Sequence, residues 1–457
     1  MDSEIARQFD KLQDHFQSDL TRPLAFRREQ LGKLKKLITR NHKAIAEALK
    51  QDLGKCNQES WMTETGYLIG DIEHHLKHLK KWTKPRRVST PVIAQPGHSF
   101  IQPEPLGTVL VMGAWNYPLQ LSLAPLISAI AAGNCAVLKP SELAPNTSTL
   151  LAELIPQYLD ERAVQVVEGG VEVSTELLKQ PWDHVFYTGG ERVGKIVMTA
   201  AAKHLSPVTL ELGGKSPCIV ADDCELKVTA DRIVWSKWMN AGQTCVAPDY
   251  ILVERRFAET LTGALTKSLQ RFYGKDARQS ADYGCIINDN HFYRLVELLK
   301  GQNIVHGGQT DADSRYIEPT LVLDPDPSST LMTEEIFGPI LPIITMDSLD
   351  DSLTFINRRP KPLALYLYTK NRAFEQQLLN KTSAGSVCIN DGMMFMANMK
   401  LPFGGVGNSG IGRYHGQWGF DTFSHLKSVM RRGTWFDINW RYPPFNKFKL
   451  LMLKLFQ

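Results

Sequence analysis

The chain contains 457 residues, too many for one compact core, so about two to three domains are expected. Hydrophobic residues make up 43% and charged residues 22% of the chain, a balance that excludes a disordered protein. The 52 Lys and Arg residues against 48 Asp and Glu leave a net charge of +4, too thin an excess to indicate a nucleic-acid-binding protein.

Cysteine usage indicates a reducing compartment. The seven cysteines are scattered along the chain, and no two have C-x-x-C spacing. A disulfide framework and a zinc site are both disfavoured, so no metal is predicted. The amino terminus lacks the basic and then apolar run of a signal peptide, so a cytoplasmic location is expected.

The first 82 residues show the apolar spacing of helices. Leu31, Leu34 and Ile38 recur at intervals of three and four in a Lys/Arg-rich stretch, which predicts amphipathic helices with solvated basic faces. Residues 84–105 break the pattern with five prolines. They predict an extended crossing between two units.

From residue 107 onward, short β-branched runs alternate with helical patterns, which predicts βαβ units on a parallel sheet. The alternation restarts after residue 214 and predicts a second α/β unit of similar size. Such sheets bind ligands at the carboxyl ends of their strands. The predicted strands are 107–112, 135–138, 164–167, 184–187, 208–212, 217–220, 250–254, 317–323, 341–345, 364–368 and 386–390, and the predicted helices are 119–132, 147–159, 175–179, 192–204, 228–239, 257–272 and 292–300.

A glycine-containing turn lies between the predicted strand 184–187 and the helix that follows it. Gly189, Gly190 and Gly194 depart from the G-x-G-x-x-G dinucleotide pattern. Backbone N–H groups at such a turn can receive a phosphate, and a plain tight turn is the alternative.

Two side chains suit catalysis, although each has a simpler interpretation. Cys245 follows a helix-like run in a loop, where a nucleophilic thiolate can form, but most free cysteines are simply buried. Glu211 ends a strand beside flexible glycines, which suits a general base, and a salt bridge or strand cap is the alternative.

Other strand ends and turns carry weaker signals. The amide of Asn116 suits donation to an oxyanion, and Lys139 with Glu142 suits ribose hydroxyls. Glu335 and Phe337 offer a carboxylate and an aromatic ring near a predicted turn. Each signal is weak alone, because charged residues at strand ends are common on protein surfaces.

Six such motifs, in this order and spacing, resemble those of the aldehyde dehydrogenase superfamily over essentially the whole chain. Features such as the Asn-Tyr-Pro form at 116–118 are similar to class 3 members. The six motifs are 115–118 (WNYP), 139–142 (KPSE), 211–215 (ELGGK), 242–245 (GQTC), 335–339 (EIFGP) and 401–410 (LPFGGVGNSG).

The resemblance implies an α/β fold with three parts. These are a Rossmann-like NAD(P)-binding domain (1–83 and 106–213), a second α/β catalytic domain (214–421), and a bridging segment for oligomerisation with the tail (84–105 and 422–457). It also implies oxidation of medium- or long-chain aliphatic or aromatic aldehydes to carboxylic acids through thiohemiacetal and thioester intermediates. Such relatives are typically homodimers.

The resemblance also assigns roles to individual residues. Cys245 would be the nucleophile, Asn116 the oxyanion donor and Glu211 the general base, a role that Glu335 could share. The residues expected to hold the cofactor are Lys139, Glu142, Gly189, Gly190, Val193, Gly194, Glu335 and Phe337.

One departure from the family pattern bears on the cofactor. Gly190 stands where the family usually has serine, so one possible phosphate contact is lost, and Glu191 adds negative charge that Arg192 could offset. Glu142 should repel a 2′-phosphate and favour NAD, but class 3 relatives often accept NADP. The expected cofactor is therefore NAD or NADP.

Two alternative functions remain: an acylating dehydrogenase that uses coenzyme A, and a non-catalytic structural or binding protein on the same fold. Tyr117, Trp235, Met239 and residues 393–395 (MMF) are either core, which is the more common case for such side chains, or the wall of an apolar tunnel. The apolar segment 448–456 contains Lys449 and Lys454, and it is expected to pack on a partner subunit or, as the less favoured alternative, to touch a membrane surface.

Overall fold

The computed structural model describes residues 4–456. Residues 4–82 are mainly helical, as predicted, and Leu31, Leu34 and Ile38 are fully buried against the helices that follow. The α-helices are α1 (Glu4–Gln17), α2 (Leu24–Arg40), α3 (His42–Leu53), α4 (Asn57–Ser60), α5 (Gly66–Trp82), α6 (Gln120–Ala132), α7 (Pro145–Tyr158), α8 (Val171–Leu177), α9 (Glu191–Ala202), α10 (Leu226–Trp238), α11 (Arg255–Tyr273), α12 (Asp289–Leu299), α13 (Thr330–Thr333), α14 (Leu349–Asn357), α15 (Arg372–Lys381), α16 (Gly416–Thr422) and α17 (Lys447–Phe456).

The strands form two larger sheets and two smaller ones. The predicted parallel strands between residues 107 and 220 and between 250 and 390 are confirmed, with ends shifted by no more than three residues. The exception is the predicted strand 317–323, of which only Thr320–Leu323 joins the parallel sheet, whereas Tyr316–Ile317 belongs to a separate antiparallel pair. The strands are β1 (Arg86–Val88), β2 (Gly97–Pro105), β3 (Thr108–Met112), β4 (Cys135–Lys139), β5 (Val164–Val166), β6 (His184–Thr188), β7 (Val208–Glu211), β8 (Pro217–Val220), β9 (Tyr250–Glu254), β10 (Ile304–His306), β11 (Thr310–Asp311), β12 (Tyr316–Ile317), β13 (Thr320–Leu323), β14 (Ile340–Met346), β15 (Ala364–Tyr368), β16 (Ser386–Ile389), β17 (Gly410–Ile411) and β18 (Ser424–Arg432).

The first large sheet has the strand order of a doubly wound dinucleotide-binding fold. Its order is β17-β7-β6-β3-β4-β5, and β3 to β7 are all parallel. Numbered along the chain from β3, the parallel strands run 3-2-1-4-5, so the order reverses between β3 and β6. Ligands bind at such a reversal, outside the carboxyl ends of the two strands.

The second large sheet has the order β10-β13-β14-β9-β8-β15-β16 and is parallel except for β10. Its central strands are buried on both faces, because α10 and α11 pack on one face and α14 and α15 on the other. Together the two sheets account for the predicted pair of α/β units, with the Rossmann-like one first.

The residues predicted as an extended crossing contribute to a separate sheet. β1 and β2 pair antiparallel, and β2 also pairs with β18 along nine residues from Ser424 to Arg432. The domain boundaries at 83, 105, 213 and 421 stay a prediction. β17 lies inside the predicted catalytic range but pairs with β7 of the first sheet.

Within residues 4–456, no helix is long and apolar enough to cross a membrane. The same residues contain no cluster of three or more His, Cys, Asp or Glu side chains arranged to hold a metal ion. The tail ends in α17, whose Phe448, Leu451 and Leu455 are exposed.

Candidate active site

A cavity of about 730 Å³ is lined by residues that follow strands of both large sheets. Asn116, Glu211 and Cys245 all line it, although they come from three distant parts of the sequence. Glu335 and Phe337 also line it, as do Gly189 and Gly190 of the glycine-containing turn. The cavity therefore brings together the predicted catalytic groups and part of the predicted cofactor site.

Asn116 is held in a fixed orientation just beyond the carboxyl end of β3. Its side chain is buried, and its Nδ2 donates to the backbone oxygen of Gln243 at 3.0 Å. The amide of Asn240 donates in turn to the backbone oxygen of Asn116 at 2.7 Å. Since an amide nitrogen carries two hydrogens, Asn116 retains one for a ligand in the cavity.

Cys245 lies in a loop whose backbone is strained. Asn240, Ala241 and Gly242 have positive φ values of 54°, 50° and 75° in succession. A side chain at Gly242 would stand 2.3 Å from the backbone oxygen of Gly338, so only glycine fits there. Strain of this kind persists where the surroundings over-determine it, and here it turns the chain so that Cys245 faces the cavity.

The surroundings of Cys245 favour the protonated thiol over the thiolate. Burial raises the pKa of Cys245 to about 12, and the nearby carboxyls of Glu335 and Glu211 raise it further. The backbone N–H groups of Cys245 and Val246 act in the opposite direction. A proton must therefore leave the sulfur when it attacks, and the two carboxyls are the neighbouring acceptors.

Glu211 ends β7 and is 3% exposed. Neither carboxyl oxygen has a hydrogen-bond partner among the described residues, and burial raises the pKa of Glu211 well above its usual range. The alternatives of a salt bridge or a cap are therefore wrong. Its backbone oxygen accepts from the Gly189 N–H at 3.0 Å, which connects the end of β7 to the glycine-containing turn.

Glu335 is the second carboxyl near the sulfur. Burial raises its pKa to about 8, with Asp249 adding to the effect, while the Gly214 N–H, Lys215 and Arg294 lower it. A side chain at Gly213 would collide with the Glu335 carboxyl at 2.1 Å, so this glycine permits the approach. Two carboxyls with raised pKa values thus face one thiol.

Hydrogen bonds to the backbone of Ile336 hold the segment that carries Glu335 in place. The guanidinium of Arg294 donates to the backbone oxygen of Ile336 at 2.6 Å, and Asp249 accepts from the Ile336 N–H at 3.1 Å. Phe337 adopts a positive φ of 50°, and its ring meets the edge of Trp115 at 5.2 Å between centroids. These contacts hold Phe337 in the cavity wall, where a flat aromatic ligand can pack.

The glycine-containing turn fits a dinucleotide phosphate at the point where the strand order reverses. Gly190 precedes α9, whose first turn has no side-chain cap, and open space surrounds Gly190. Gly194 allows close packing, since a side chain there would lie 2.8 Å from Leu212. Val193 packs in the core beneath the turn rather than lining the cavity.

Lys139 and Glu142 lie at the end of β4, outside the lining of the cavity. Their side chains form an ion pair, in which Lys139 is almost buried and Glu142 is 40% exposed. Glu191, the added negative charge near the turn, is paired with Lys195 at 2.7 Å. The ribose contact of the first pair stays a prediction, whereas the charge of Glu191 is partly neutralised.

The rest of the cavity wall is mainly apolar. Trp235, Met239, Met393 and Met394 line it, so the tunnel interpretation holds for these side chains. Phe395 does not line it and instead stacks between the rings of Tyr366 and Phe403.

Tyr414 is a residue of the site that the sequence did not indicate. Tyr414 is 1% exposed, its hydroxyl has no partner among the described residues, and it lines the cavity. Burial raises the pKa of the Tyr414 hydroxyl well above its usual range, and the neighbouring Tyr67, Glu211 and Cys245 add to the effect. No local pattern indicates Tyr414, because Glu211 and Cys245 lie far from it in the sequence.

Comparisons of the chain with known proteins all point to the same family. Residues 2–429 match the model of the "Aldehyde dehydrogenase family". The chain is 50% identical over 430 residues to a dimeric NADP-preferring aldehyde dehydrogenase of Mus musculus, covering 94% of this chain and 95% of the relative. It is 49% identical to the 4,4′-diaponeurosporen-aldehyde dehydrogenase of Staphylococcus aureus, covering 98% of each.

Among solved structures, the substrate-bound state of a Staphylococcus aureus AldH superposes with a TM-score of 0.97. It is 48% identical, and the match covers 99% of this chain and 100% of that one. The chain belongs to the aldehyde dehydrogenase family and is an enzyme that oxidises aldehydes with NAD or NADP.

Proposed function

We propose that Cys245 is the nucleophile, Asn116 an oxyanion donor and Glu211 the general base of this aldehyde oxidation. The observation that carries the proposal is their convergence on one cavity with Glu335 and the glycine-containing turn. Residues brought together from both sheets, with raised pKa values and strained backbone, are typical of catalytic sites.

In the first half of the reaction the sulfur of Cys245 bonds to the aldehyde carbon, and its proton passes to the ionised carboxylate of Glu211 or Glu335. The carbonyl oxygen becomes an oxyanion. The second Nδ2 hydrogen of Asn116 and the Cys245 backbone N–H are the donors that meet it. Removing one such donor typically lowers the rate about 10²–10³-fold.

The glycine-containing turn, Glu335 and Phe337 would hold NAD or NADP, which would supply the hydride acceptor. Oxidation of the thiohemiacetal in this way would leave a thioester on Cys245. Glu211, in its ionised form, then removes a proton from water. The resulting hydroxide adds to the thioester, and the sulfur leaves with release of a carboxylic acid. Sulfur suits both steps, because it is a strong nucleophile and later a good leaving group.

Medium- or long-chain aliphatic aldehydes or aromatic aldehydes are the proposed substrates. The support is the apolar wall that Trp235, Met239, Met393 and Met394 contribute. Unbranched thioethers adapt to irregular apolar ligands. The name of the Staphylococcus aureus relative specifies 4,4′-diaponeurosporen-aldehyde for that protein.

The test is the Cys245→Ala variant, assayed by aldehyde-dependent formation of reduced cofactor. We expect loss of turnover with retained binding of NAD or NADP. Cys285→Ala is the matched control, since Cys285 is half-buried but does not line the cavity. Near-normal turnover in Cys245→Ala would refute the assignment. Product analysis with and without coenzyme A separates hydrolysis from acyl transfer.

The assembly we propose is a homodimer in which the tail packs on the partner subunit. The support is the exposed apolar face of α17, with Phe448 62% and Leu455 67% exposed, and a relative named as dimeric. Removal of residues 446–457 should shift light-scattering mass toward the monomer. Unchanged mass together with lost sedimentation on anionic vesicles would instead favour membrane contact.

A cytoplasmic location is the remaining part of the proposal. Its support is that all seven cysteines are unpaired, which suits a reducing compartment. Fractionation of the native source, followed by thiol labelling without reductant, should find the enzyme and its free thiols in the cytosolic fraction.

A further inference from the structure

A buried ion pair lies directly behind the loop that carries Asn116. The ammonium of Lys55 and the Oε1 of Glu64 are 2.5 Å apart, and both side chains are 0% exposed. Neither residue lines the cavity. Two fully desolvated charges are costly to bury, so a pair of this kind calls for an explanation beyond stability.

Both members of the pair bind the main chain of the same loop. Lys55 Nζ donates to the backbone oxygen of Asn116 at 3.1 Å. The second oxygen of Glu64 accepts from the N–H groups of Leu119 and Gln120, at 2.9 and 3.1 Å. These N–H groups open α6, which has no side-chain cap of its own, so Glu64 supplies the anion that a helix start favours.

The pair also contacts the residue after Asn116. Lys55 Nζ lies over the ring of Tyr117, 3.9 Å from its centroid. The Tyr117 hydroxyl is in turn 2.6 Å from the Thr244 hydroxyl, next to Cys245. Glu64 itself comes from a π-helical turn, Trp61–Thr65, an irregularity that is frequent at functional sites.

We propose that Lys55 and Glu64 are positioning residues that fix the oxyanion loop. From one side they hold the backbone of residues 116–120, while Asn240 and Gln243 hold Asn116 from the side of the cysteine loop. The free hydrogen of the Asn116 amide is thereby aimed into the cavity before substrate arrives. Preorganised donors of this kind stabilise an oxyanion without reorganisation during the reaction. This inference rests on the oxyanion role of Asn116 in the proposed function.

The test is a double-mutant cycle between the pair and Asn116. Lys55→Met/Glu64→Gln removes both charges together, so no unpaired charge stays buried, and Gln still offers an oxygen to α6. We expect kcat to fall at least tenfold, with little change in KM and in the dissociation constant of NAD or NADP. In the Asn116→Ala background the same double change should lower kcat no further.

The matched control is Lys35→Met/Glu73→Gln, which removes an ion pair between α2 and α5 that is solvent-exposed. It should leave kcat unchanged in both backgrounds. If Lys55→Met/Glu64→Gln does not fold, Lys55→Arg enters the same cycle, because it keeps the charge opposite Glu64 but moves the donor away from the Asn116 oxygen.

The two hypotheses fail in distinguishable ways. If Asn116→Ala alone leaves kcat unchanged, the oxyanion role of the proposed function is wrong. If Asn116→Ala lowers kcat but the Lys55 and Glu64 variants do not, the positioning inference is wrong. An equal loss of kcat in both backgrounds also overturns it, since the pair would then act on the fold in general.

Discussion

Replacing Glu211 by glutamine should raise the free energy of unfolding relative to wild type, and by more at higher pH. The same substitution should remove activity. Burial raises the pKa of Glu211 well above its usual range. Above the usual titration range of a glutamate the unfolded chain has released this proton, whereas the folded protein binds it more strongly. Fewer protons are bound by the unfolded state, so the wild-type free energy of unfolding decreases with rising pH.

The size of the effect follows from that titration. One retained proton lowers the free energy of unfolding by about 1.4 kcal/mol per pH unit, hence by at most about 2.7 kcal/mol over two units. Partial entry of water reduces this to roughly 1–2.5 kcal/mol. For a chain of this length 1 kcal/mol corresponds to about 1 °C in the unfolding midpoint, so the shift is about 1–2.5 °C.

The assay compares thermal midpoints of wild type and Glu211→Gln at pH 5.5 and 7.5, at one scan rate. The advantage of the variant should be larger at pH 7.5 by the stated amount, while kcat falls about 10²–10⁴-fold. Glu259→Gln is the control, because Glu259 is an exposed carboxylate on α11. An advantage that is equal at both pH values, or smaller at pH 7.5, would refute the reasoning.

Three further results are expected. Asn116→Ala should lower the rate of the first turnover, measured by stopped-flow absorbance of reduced cofactor, about 10²–10³-fold, because one oxyanion donor is lost. The kcat should rise with pH through about pH 8, because burial raises the pKa of Glu335 to about 8 and only the ionised carboxyl accepts a proton. In the Glu335→Gln variant this rise of kcat with pH should be absent. Glu142→Gln should raise kcat/KM for NADP relative to NAD about three- to tenfold, because a like charge near the 2′-phosphate is removed.

Buried strands were predictable from sequence, whereas long-range edge pairings were not. β3, β4 and β6 are short apolar runs bounded by turns, and each is buried along its length. β2 contains Pro103 and Pro105, which argue against a strand that has neighbours on both sides. β1 pairs only as far as Ile101, so these prolines lie where β2 has the single neighbour β18.

The site was predictable only in part for a similar reason. Asn116, Glu211 and Cys245 carried weak signals separately, and their convergence was expected from the order of motifs rather than from any one of them. Tyr414 carries no local pattern, and the Lys55–Glu64 pair gains its significance from contact with Asn116, 61 residues beyond Lys55. The raised pKa of Cys245 also depends on carboxyls that only the fold brings near it.

The return of the chain to the first sheet has a mechanical consequence. After the second sheet is complete, β17 pairs with β7, and Gly410 stands opposite Glu211. Glu211 is thus paired with a segment that follows the second sheet in the chain. Beside it, the Leu212 N–H donates to the backbone oxygen of Ser409 at 3.2 Å. A hinge motion that separated the two large sheets would have to break the hydrogen bonds between β17 and β7. Admission of ligands should therefore depend on small local shifts of side chains at the cavity mouth.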